Sequence, residues 1–313
     1  MKKHNLITPE GTRDLLFEEC KARRDIETKL MDLFKGEGYS EVITPSLEFY
    51  DVFNSFPQES MYKLTDAKGR LMVIRPDSTI PIIRLAETRL KDEPRPLKLC
   101  YNQTIYNVNP KDAGRDDETA QCGVEYINDE NSMSGSDIKV LKLAAEAIKA
   151  TNFDFRFEIG NGFFFEVLIK ENRIEANDAE KIRQLVEEKN YPALSVMNIP
   201  DIFIELPKLF GGGEVFDKAD KLFKSDNLKK CLNMFKKVYN ELREKVAGEN
   251  ITIDLGFTSK RDYYEGILFN GYAAGCGKPI LEGGNYKINN TSGIGFAVNV
   301  SAVARLSRGN YAK

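Results

Sequence analysis

The side chains available for chemistry in this sequence are carboxylates, tyrosines, lysines and arginines, because histidine is almost absent. His4 is the only histidine among 313 residues, and it lies near the N-terminus, where chains are commonly poorly ordered. A Ser-His-Asp or Cys-His catalytic device, or a metal held by histidines, would depend on that residue. The five widely spaced cysteines form no CxxC pair, which argues against a zinc site or a disulfide framework. We therefore expect no metal and no other cofactor.

Three groups of polar or aromatic residues can line a binding site, and each has a simpler alternative. Gln121 and Glu125 lie four residues apart, so on a strand they face the same side, which fits a shared pocket and a solvated sheet face equally. Asp77 precedes a predicted helix, where it can contact a ligand, cap the helix, or do both. Tyr263 and Tyr264 can be ligand contacts or a half-buried pair on a strand.

The bulk composition is typical of a soluble globular protein, with 42% apolar and 30% charged residues. The net charge is −3 and no basic arm or stripe stands out, so nucleic acid is not favoured as a partner. The sequence has neither a run of about 18 apolar residues nor the apolar stretch of a signal peptide. We expect a cytoplasmic protein with reduced cysteines and no membrane contact.

Hydrophobic periodicity and turn residues predict the elements that must position these side chains. Helices are predicted over residues 14–37 with Asp14 as a cap, 78–90 opened by Ser78 or Thr79, 136–150 and 300–308. Strands are predicted over 70–76, 98–108, 118–128, 155–160, 251–256, 263–275, 278–286 and 293–299. A further short strand, broken by Pro45, lies within residues 39–53.

Residues from about 162 to 248 form a mostly helical block inserted between strands. Its triple glycine at 211–213 is interpreted as a loop that ends a helix rather than a phosphate cradle, because strand-to-helix context and a trailing Lys-Ser or Lys-Thr are both missing. Strands joined by hairpins around such a block predict an α+β fold. We expect a single domain over residues 1–313, with a mainly antiparallel sheet flanked by helices.

Four segments, in order along the chain, resemble the catalytic core of class II aminoacyl-tRNA synthetases, the histidyl branch in particular. They are TPEGTRDLL at 8–16, GYSEVITPSLE at 38–48, IRPDSTIPIIR at 74–84 with CGVEY at 122–126, and DYYEGILFNGYAAG with LEGGNY within 262–286. The second segment resembles class II motif 1, whose proline lies at the dimer interface of that family. The resemblance implies a class II synthetase-like core and a homodimer.

The resemblance also implies a histidine pocket. The family has an acidic residue that faces the ammonium group, a threonine beside it, a glutamine and a glutamate that face the amino group and the side chain, and a tyrosine pair at the imidazole. In that order, the implied histidine-binding residues are Asp77, Thr79, Gln121, Glu125, Tyr263 and Tyr264. Carboxylates suit an ammonium group, and polar or aromatic groups suit a flat ring that donates or accepts. One departure lies at 283–287, where the family's Gly-Gly-Arg-Tyr-Asp is replaced by Gly-Gly-Asn-Tyr-Lys.

Other departures imply that the chain does not activate an amino acid. Asn107 and Asn109 replace the arginine and the glutamate of family motif 2, and Ser259 replaces the arginine before the Asp-Tyr-Tyr. The family's Gly-Leu-Glu-Arg-Leu of motif 3 is replaced by Asn-Val-Ser-Ala-Val at 299–303. Each lost donor costs about 3 kcal/mol of transition-state stabilisation, so we assign no catalytic residue. Arg115, Arg261 and Arg305 lie near the lost positions and would substitute for the lost groups if the register of the motifs is shifted.

A synthetase-like core without these groups resembles the regulatory subunit of short-form ATP phosphoribosyltransferase. In that family the subunit combines with a short catalytic chain in a hetero-octamer, is required for activity, and helps to transmit feedback inhibition by L-histidine in the first step of histidine biosynthesis. The sequence reaches only Lys313, where the anticodon-binding domain of a synthetase would follow, so we expect no tRNA partner. The alternatives are a synthetase-derived amino-acid ligase or truncated aminoacylating paralogue, and a stand-alone amino-acid-binding module.

Overall fold

The computed structural model describes residues 6–54, 56–108, 116–128, 135–244, 246, 250–258 and 263–311. These residues divide into two compact units, which are treated separately below. Among them, no helix is both long enough and apolar enough to cross a membrane. The prediction of one domain over the whole chain stays a prediction.

The described part of the chain contains ten α-helices and twelve strands. The helices are α1 (Glu18–Gly36), α2 (Thr79–Glu87), α3 (Gly135–Ala150), α4 (Phe163–Glu171), α5 (Ala176–Glu187), α6 (Tyr191–Ser195), α7 (Ile202–Glu205), α8 (Val215–Leu222), α9 (Asp226–Arg243) and α10 (Val300–Tyr311). The strands are β1 (Ser40–Glu41), β2 (Leu47–Phe49), β3 (Lys63–Thr65), β4 (Leu71–Ile74), β5 (Leu97–Tyr106), β6 (Glu118–Asn128), β7 (Phe155–Asn161), β8 (Phe210–Gly211), β9 (Ile251–Asp254), β10 (Tyr264–Ala273), β11 (Leu281–Ile288) and β12 (Thr291–Asn299).

The first unit comprises Met1–Asp129 and Ile288–Lys313 and contains two sheets. In the larger one the strand order is β1-β5-β6-β12, with β1 parallel to β5 and the other neighbours antiparallel. In the smaller one the order is β2-β4-β3, and both pairings are antiparallel. The predicted hairpin between residues 98–108 and 118–128 is confirmed by β5 and β6, which pair in continuous register.

Helix α1 covers one face of the larger sheet and thereby decides which face carries the predicted site. Its buried apolar residues recur every three or four positions, as a one-sided helix requires. The ring of Phe34 on α1 contacts the ring of Phe296 on β12, with centroids 5.6 Å apart. Phe296 lies opposite Val124, so Val124 faces α1. Because side chains alternate along a strand, Glu125 faces the other side.

The prediction that α1 begins at residue 14 with Asp14 as its cap is wrong. The helix begins at Glu18, because the preceding residues are held by contacts with the segment just before β6. Arg13 bonds both Glu19 and Asp116, and its Nε lies 3.2 Å from Asp116 Oδ2. These ion pairs fix the approach to the helix, although the local sequence is compatible with an earlier start.

The second unit comprises Glu130–Lys287 and contains the predicted helical block. Its strand order is β11-β10-β7-β9-β8, with β7 parallel to β9 and the other neighbours antiparallel. Helix α3 packs closely on this sheet, since a Cβ added at Gly271 would lie 2.2 Å from Ile148. Helices α4, α8 and α9 share an aromatic core in which Phe164 contacts Phe223 and Phe235. The predicted α+β class, with mainly antiparallel sheets flanked by helices, is confirmed.

The triple glycine of the second unit does not end a helix, and that prediction is wrong. Gly211 belongs to β8, and α8 begins at Val215 after a short turn. The backbone N–H of Gly212 donates to Glu214 Oε1 at 2.9 Å. The Glu214 carboxylate therefore accepts the hydrogen bond from a backbone N–H that a phosphate cradle would use for its ligand.

Candidate functional site

Glu125 and Thr79 form the centre of the candidate site in the first unit. Glu125 lies on β6 and is 1% exposed, and its Oε1 accepts a hydrogen bond from Thr79 Oγ1 at 2.7 Å. Since Thr79 is the first residue of α2, this bond ties the start of the helix to the sheet. A buried carboxylate oriented by a hydroxyl is suited to accept from an ammonium group or a ring N–H.

Asp77 lies just before α2 and is 4% exposed. Its Oδ1 accepts from the backbone N–H of Ile80 at 3.0 Å, which is an N-terminal capping contact. The expectation that Ser78 or Thr79 opens the helix is confirmed, since α2 begins at Thr79, but the capping bond comes from Asp77 because Ser78 makes none. Capping uses one carboxylate oxygen of Asp77, so a ligand contact through the same carboxylate is compatible with it.

Two glycines give the pocket face its shape. Gly295 lies directly opposite Glu125, and a Cβ there would be 2.1 Å from Glu125 Oε2. A Cβ at Gly123 would be 2.5 Å from the Tyr101 hydroxyl. The side chains of Glu125 and Tyr101 thus lie across positions that only glycine leaves open.

Gln121 lies on the same face of β6 as Glu125, as the spacing of four residues predicts. It is half-buried, and the residue opposite it on β5 is Gln103. Gln103 is 5% exposed, and its Oε1 accepts from Thr44 Oγ1 at 2.8 Å. Sequence reasoning missed Tyr101 and Gln103. The signal that would have found them is the predicted hairpin, which places alternate residues of β5 beside those of β6.

Tyr263 and Tyr264 belong to the second unit. Tyr263 is 8% exposed and Tyr264 is half-buried, and their ring centroids lie 4.9 Å apart. The carbonyl oxygen of Tyr263 accepts from the N–H of Lys287 at 2.8 Å, and Tyr264 pairs with Tyr286 on β11. The two tyrosines are therefore fixed at the start of β10.

Asn285, in the Gly-Gly-Asn-Tyr-Lys segment that departs from the family, makes structural hydrogen bonds. Asn285 Oδ1 accepts from the N–H of Ile267 at 2.9 Å, and its Nδ2 donates to Asp137 Oδ1 at 3.1 Å. Asp137 is 2% exposed on α3, so Asn285 joins β11, β10 and α3 within the second unit. The exposed Lys287 follows on the same strand.

Asn107, at the position that the resemblance assigns to the motif 2 arginine, also makes a structural hydrogen bond. The side-chain Nδ2 of Asn107 donates to the carbonyl oxygen of Pro76 at 2.9 Å, next to Asp77. Arg305 pairs with Asp116, and its helix α10 packs against α1, away from the Glu125 face. The other residues named for the lost positions, namely Asn109, Arg115, Ser259 and Arg261, lie outside the described residues.

A second polar cluster lies within the second unit, on β7, β9 and the turn after α5. Lys189 Nζ lies 2.7 Å from Asp254 Oδ2 and 3.9 Å from the ring centroid of Phe210. Burial raises the pKa of Glu158 to about 7, with nearby Asp254 adding to the rise and Lys189 and Arg156 opposing it. Burial also raises the pKa of Asp254, against the opposing effect of Lys189.

The comparisons with known proteins agree on one family. Residues 11–303 match the family model described as histidyl-tRNA synthetase. An ATP phosphoribosyltransferase regulatory subunit of Clostridium botulinum (strain 657 / Type Ba4) is 39% identical over 324 aligned residues, covering 97% of this chain and 76% of the relative. One of Clostridium acetobutylicum is 39% identical over 293 residues, covering 89% and 72%.

Solved structures give the same fold. A structure from Bacillus halodurans C, titled as an ATP phosphoribosyltransferase regulatory subunit/histidyl-tRNA synthetase, has a TM-score of 0.87 and 28% identity, covering 97% of this chain and 84% of that one. A histidine–tRNA ligase subunit from Alicyclobacillus acidocaldarius has a TM-score of 0.81 at 22% identity, over 97% and 98%. The latter likeness shows the fold alone.

The fold and the family match place this chain among the histidyl-tRNA synthetase-like proteins of class II architecture. The two curated relatives described above, and one from Clostridium kluyveri, are named as ATP phosphoribosyltransferase regulatory subunits. Within that class, the chain belongs to the family of ATP phosphoribosyltransferase regulatory subunits. The prediction of a non-catalytic regulatory subunit is confirmed by these relatives.

Proposed function

We propose that this chain supports the activity of a short-form ATP phosphoribosyltransferase catalytic subunit and transmits feedback inhibition by L-histidine. One observation supports the proposal: the buried carboxylate of the implied histidine site is held in place, while the position of the catalytic arginine is occupied by an asparagine. Thr79 bonds Glu125 at that site, whereas Asn107, at the position that the family resemblance assigns to the arginine, bonds a backbone carbonyl. Such a site can bind an amino acid without stabilising charge on a transferring phosphate. We place this function in the cytoplasm and expect no tRNA partner.

Histidine is the ligand that the retained side chains suit best. The buried carboxylates of Asp77 and Glu125 can receive the ammonium group and an imidazole N–H, and the amide of Gln121 can both donate and accept. Their low exposure strengthens each contact, because an ion pair or hydrogen bond is worth more where water is excluded. The assignment of Tyr263 and Tyr264 to the imidazole rests on the family resemblance and stays a prediction, which Tyr264→Phe tests through histidine affinity.

Self-association is part of the proposal, and an apolar sheet face supports it. The register of β2-β4-β3 places five apolar side chains on one side: Leu47, Phe49, Leu64, Met72 and Ile74. We call this set the outer face. Leu47 and Phe49 are 45% and 43% exposed, and the other three are half-buried. Contiguous exposed apolar residues mark interaction sites, and β2 belongs to the segment that resembles the dimer-forming motif 1.

Replacing Phe49 by Asp should convert a homodimer into a monomer. A carboxylate on this apolar face loses its water when the face is covered in a dimer, so we expect the dimer dissociation constant to rise at least about 100-fold. Sedimentation equilibrium measures this directly. Val196→Asp is the matched control, because Val196 is 85% exposed in the second unit. A Phe49→Asp protein that remains as dimeric as the wild type would show that the outer face is not the dimer interface.

The complete proposal is tested by phosphoribosyl-ATP formation. A short-form catalytic subunit from the same source is titrated with this chain, with and without histidine. We expect activity to rise to saturation as the chain is added, and histidine then to suppress it. Light scattering on the saturated mixture tests for the hetero-octamer. If the chain changes neither rate nor inhibition, the regulatory proposal fails, and amino-acid-dependent pyrophosphate exchange tests the ligase alternative.

A further inference from the structure

The outer face and the histidine site are joined by buried contacts within the first unit. Strand β4 ends at Ile74, which belongs to the outer face, and Asp77 follows three residues later. Strand β2 carries Leu47 and Phe49, and it is bonded to α2, the helix that begins with Thr79. Two arginines, Arg84 and Arg75, make these connections.

Arg84 connects β2 to α2 through an ion pair in which Glu48 is buried and Arg84 is half-buried. Glu48 is 6% exposed although its neighbours on β2 are exposed, because alternate side chains of a strand point to opposite faces. Its Oε1 accepts from Arg84 Nη2 at 2.7 Å. The inner side of the strand that carries the outer face is therefore attached to the helix that carries Thr79.

Arg75 connects the segment before β2 to the residues that lead into Asp77. It is 5% exposed, its Nη1 donates to the carbonyl oxygen of Thr44 at 2.7 Å, and its Nε donates to that of Thr104 at 2.9 Å. Its backbone N–H donates to the carbonyl oxygen of Ser46 at 2.9 Å. This residue thus locks the chain on both sides of Pro45 against the start of the pocket.

These contacts make independent movement of β2 and α2 costly. Separating β2 from α2 would take the buried Glu48 carboxylate away from its cation, and a buried charge that loses its partner is destabilising. A partner that holds β2 in one position also holds Arg84 in the last turn of α2, and this short helix carries Thr79 at its other end. The bond from Thr79 to Glu125 then sets the geometry of the site.

We propose that the Glu48–Arg84 ion pair couples self-association at the outer face to histidine affinity at the Asp77–Glu125 site, with both residues acting as positioning residues. This inference rests on the proposed histidine binding and dimerisation. Coupling between two sites is a shared free energy, so the dimer binds histidine more tightly than the monomer by the same factor that histidine strengthens the dimer. Neither residue of the pair touches the ligand.

The test is a double-mutant cycle on the full chain, read out as the histidine dissociation constant by isothermal titration calorimetry. The four proteins are the wild type, Phe49→Asp, Arg84→Met and the double variant. We expect Phe49→Asp to weaken histidine binding about 5-fold or more in the wild-type background, the lower end of typical allosteric coupling. In the Arg84→Met background the same change should weaken binding less than about 2-fold. Sedimentation confirms the oligomeric state of each protein.

The outcomes separate the inference from the function on which it rests. If the wild type binds no histidine, the proposed histidine site is wrong. If Phe49→Asp stays dimeric, the outer face is not the dimer interface. If the wild type binds histidine and dimerises but Phe49→Asp leaves the affinity unchanged, the coupling is overturned. A full effect of Phe49→Asp in the Arg84→Met background overturns the role of the ion pair.

Two further variants distinguish positioning from a general loss of stability. Arg84→Lys keeps the positive charge, so it should retain part of the coupling that Arg84→Met loses. A purely structural defect would instead be similar in the two variants. Glu48→Gln keeps the size of the side chain and replaces Arg84→Met if that variant does not fold. Arg183→Met is the matched control, because Arg183 pairs with Glu166 at 3.0 Å in the second unit. In the Arg183→Met background, Phe49→Asp should still weaken histidine binding about 5-fold, as it does in the wild-type background.

Discussion

Replacing Glu125 by Ala should weaken histidine binding about 100-fold, which corresponds to about 3 kcal/mol. The expected loss is large because the carboxylate is 1% exposed and oriented by Thr79, so a ligand cation contacts it with little competition from water. Truncation also leaves the Thr79 hydroxyl without this acceptor. Isothermal titration calorimetry of histidine into the full chain measures the change.

A control on the same strand separates the pocket from the sheet. Glu118 lies seven residues before Glu125 on β6, so its side chain faces the opposite side. Glu118→Ala should therefore change histidine affinity less than about 3-fold, within the range of ordinary surface substitutions. Glu125→Gln keeps an acceptor for Thr79 and removes the charge, and should fall between the two. Wild-type affinity in Glu125→Ala would show that histidine binds elsewhere.

The second unit should lose stability as the pH rises, because of Glu158. Burial raises the pKa of this carboxyl from 4.5 to about 7 in the folded protein. Between these values the folded state holds a proton that the unfolded state has released, so the free energy of unfolding falls with increasing pH. Below pH 4.5 the carboxyl is protonated in both states and the stabilisation is complete. Above about pH 7 it is lost.

Glu158→Gln removes this titration and should be relatively more stable at high pH. Between pH 5 and pH 8, we expect the difference in the free energy of unfolding between Glu158→Gln and the wild type to change by roughly 2 kcal/mol in favour of the variant, from the size of the pKa difference. Urea denaturation followed by circular dichroism measures it, since the chain has no tryptophan. Glu180→Gln, at a residue whose side chain is 72% exposed, should show no such trend. An equal pH dependence in Glu158→Gln and wild type would contradict the burial of this charge.

The substituted positions explain how a synthetase-like architecture serves without catalysis. At the position that the family resemblance assigns to the motif 2 arginine, Asn107 donates to the carbonyl oxygen of Pro76 beside Asp77. Asn285 similarly joins two strands to α3 where the family has an arginine. Both substitutions exchange a charged side chain for an amide that forms short-range hydrogen bonds. They are consistent with a regulatory subunit that contributes no reacting group.

Several features of this protein were determined by the sequence alone. The hairpin of β5 and β6 follows from two long alternating segments around a turn, and α3 follows from its apolar spacing and polar N-terminus. The same-face placement of Gln121 and Glu125 follows from a spacing of four residues on a strand. The family also follows from the sequence, because its four segments occur in order. All these signals lie within short stretches, where neighbouring residues limit each other directly.

Tertiary structure decided the remaining features. Asp14 is a good capping residue, yet α1 starts at Glu18 because Arg13 is bound to Asp116, more than 100 positions away. The bond from Thr79 to Glu125 joins residues 46 positions apart, and that from Arg84 to Glu48 joins residues 36 apart. Such pairs form only when helices and strands pack in one register, and local propensity carries no information on that register. The sequence therefore determined which elements form, and packing determined which side chains meet.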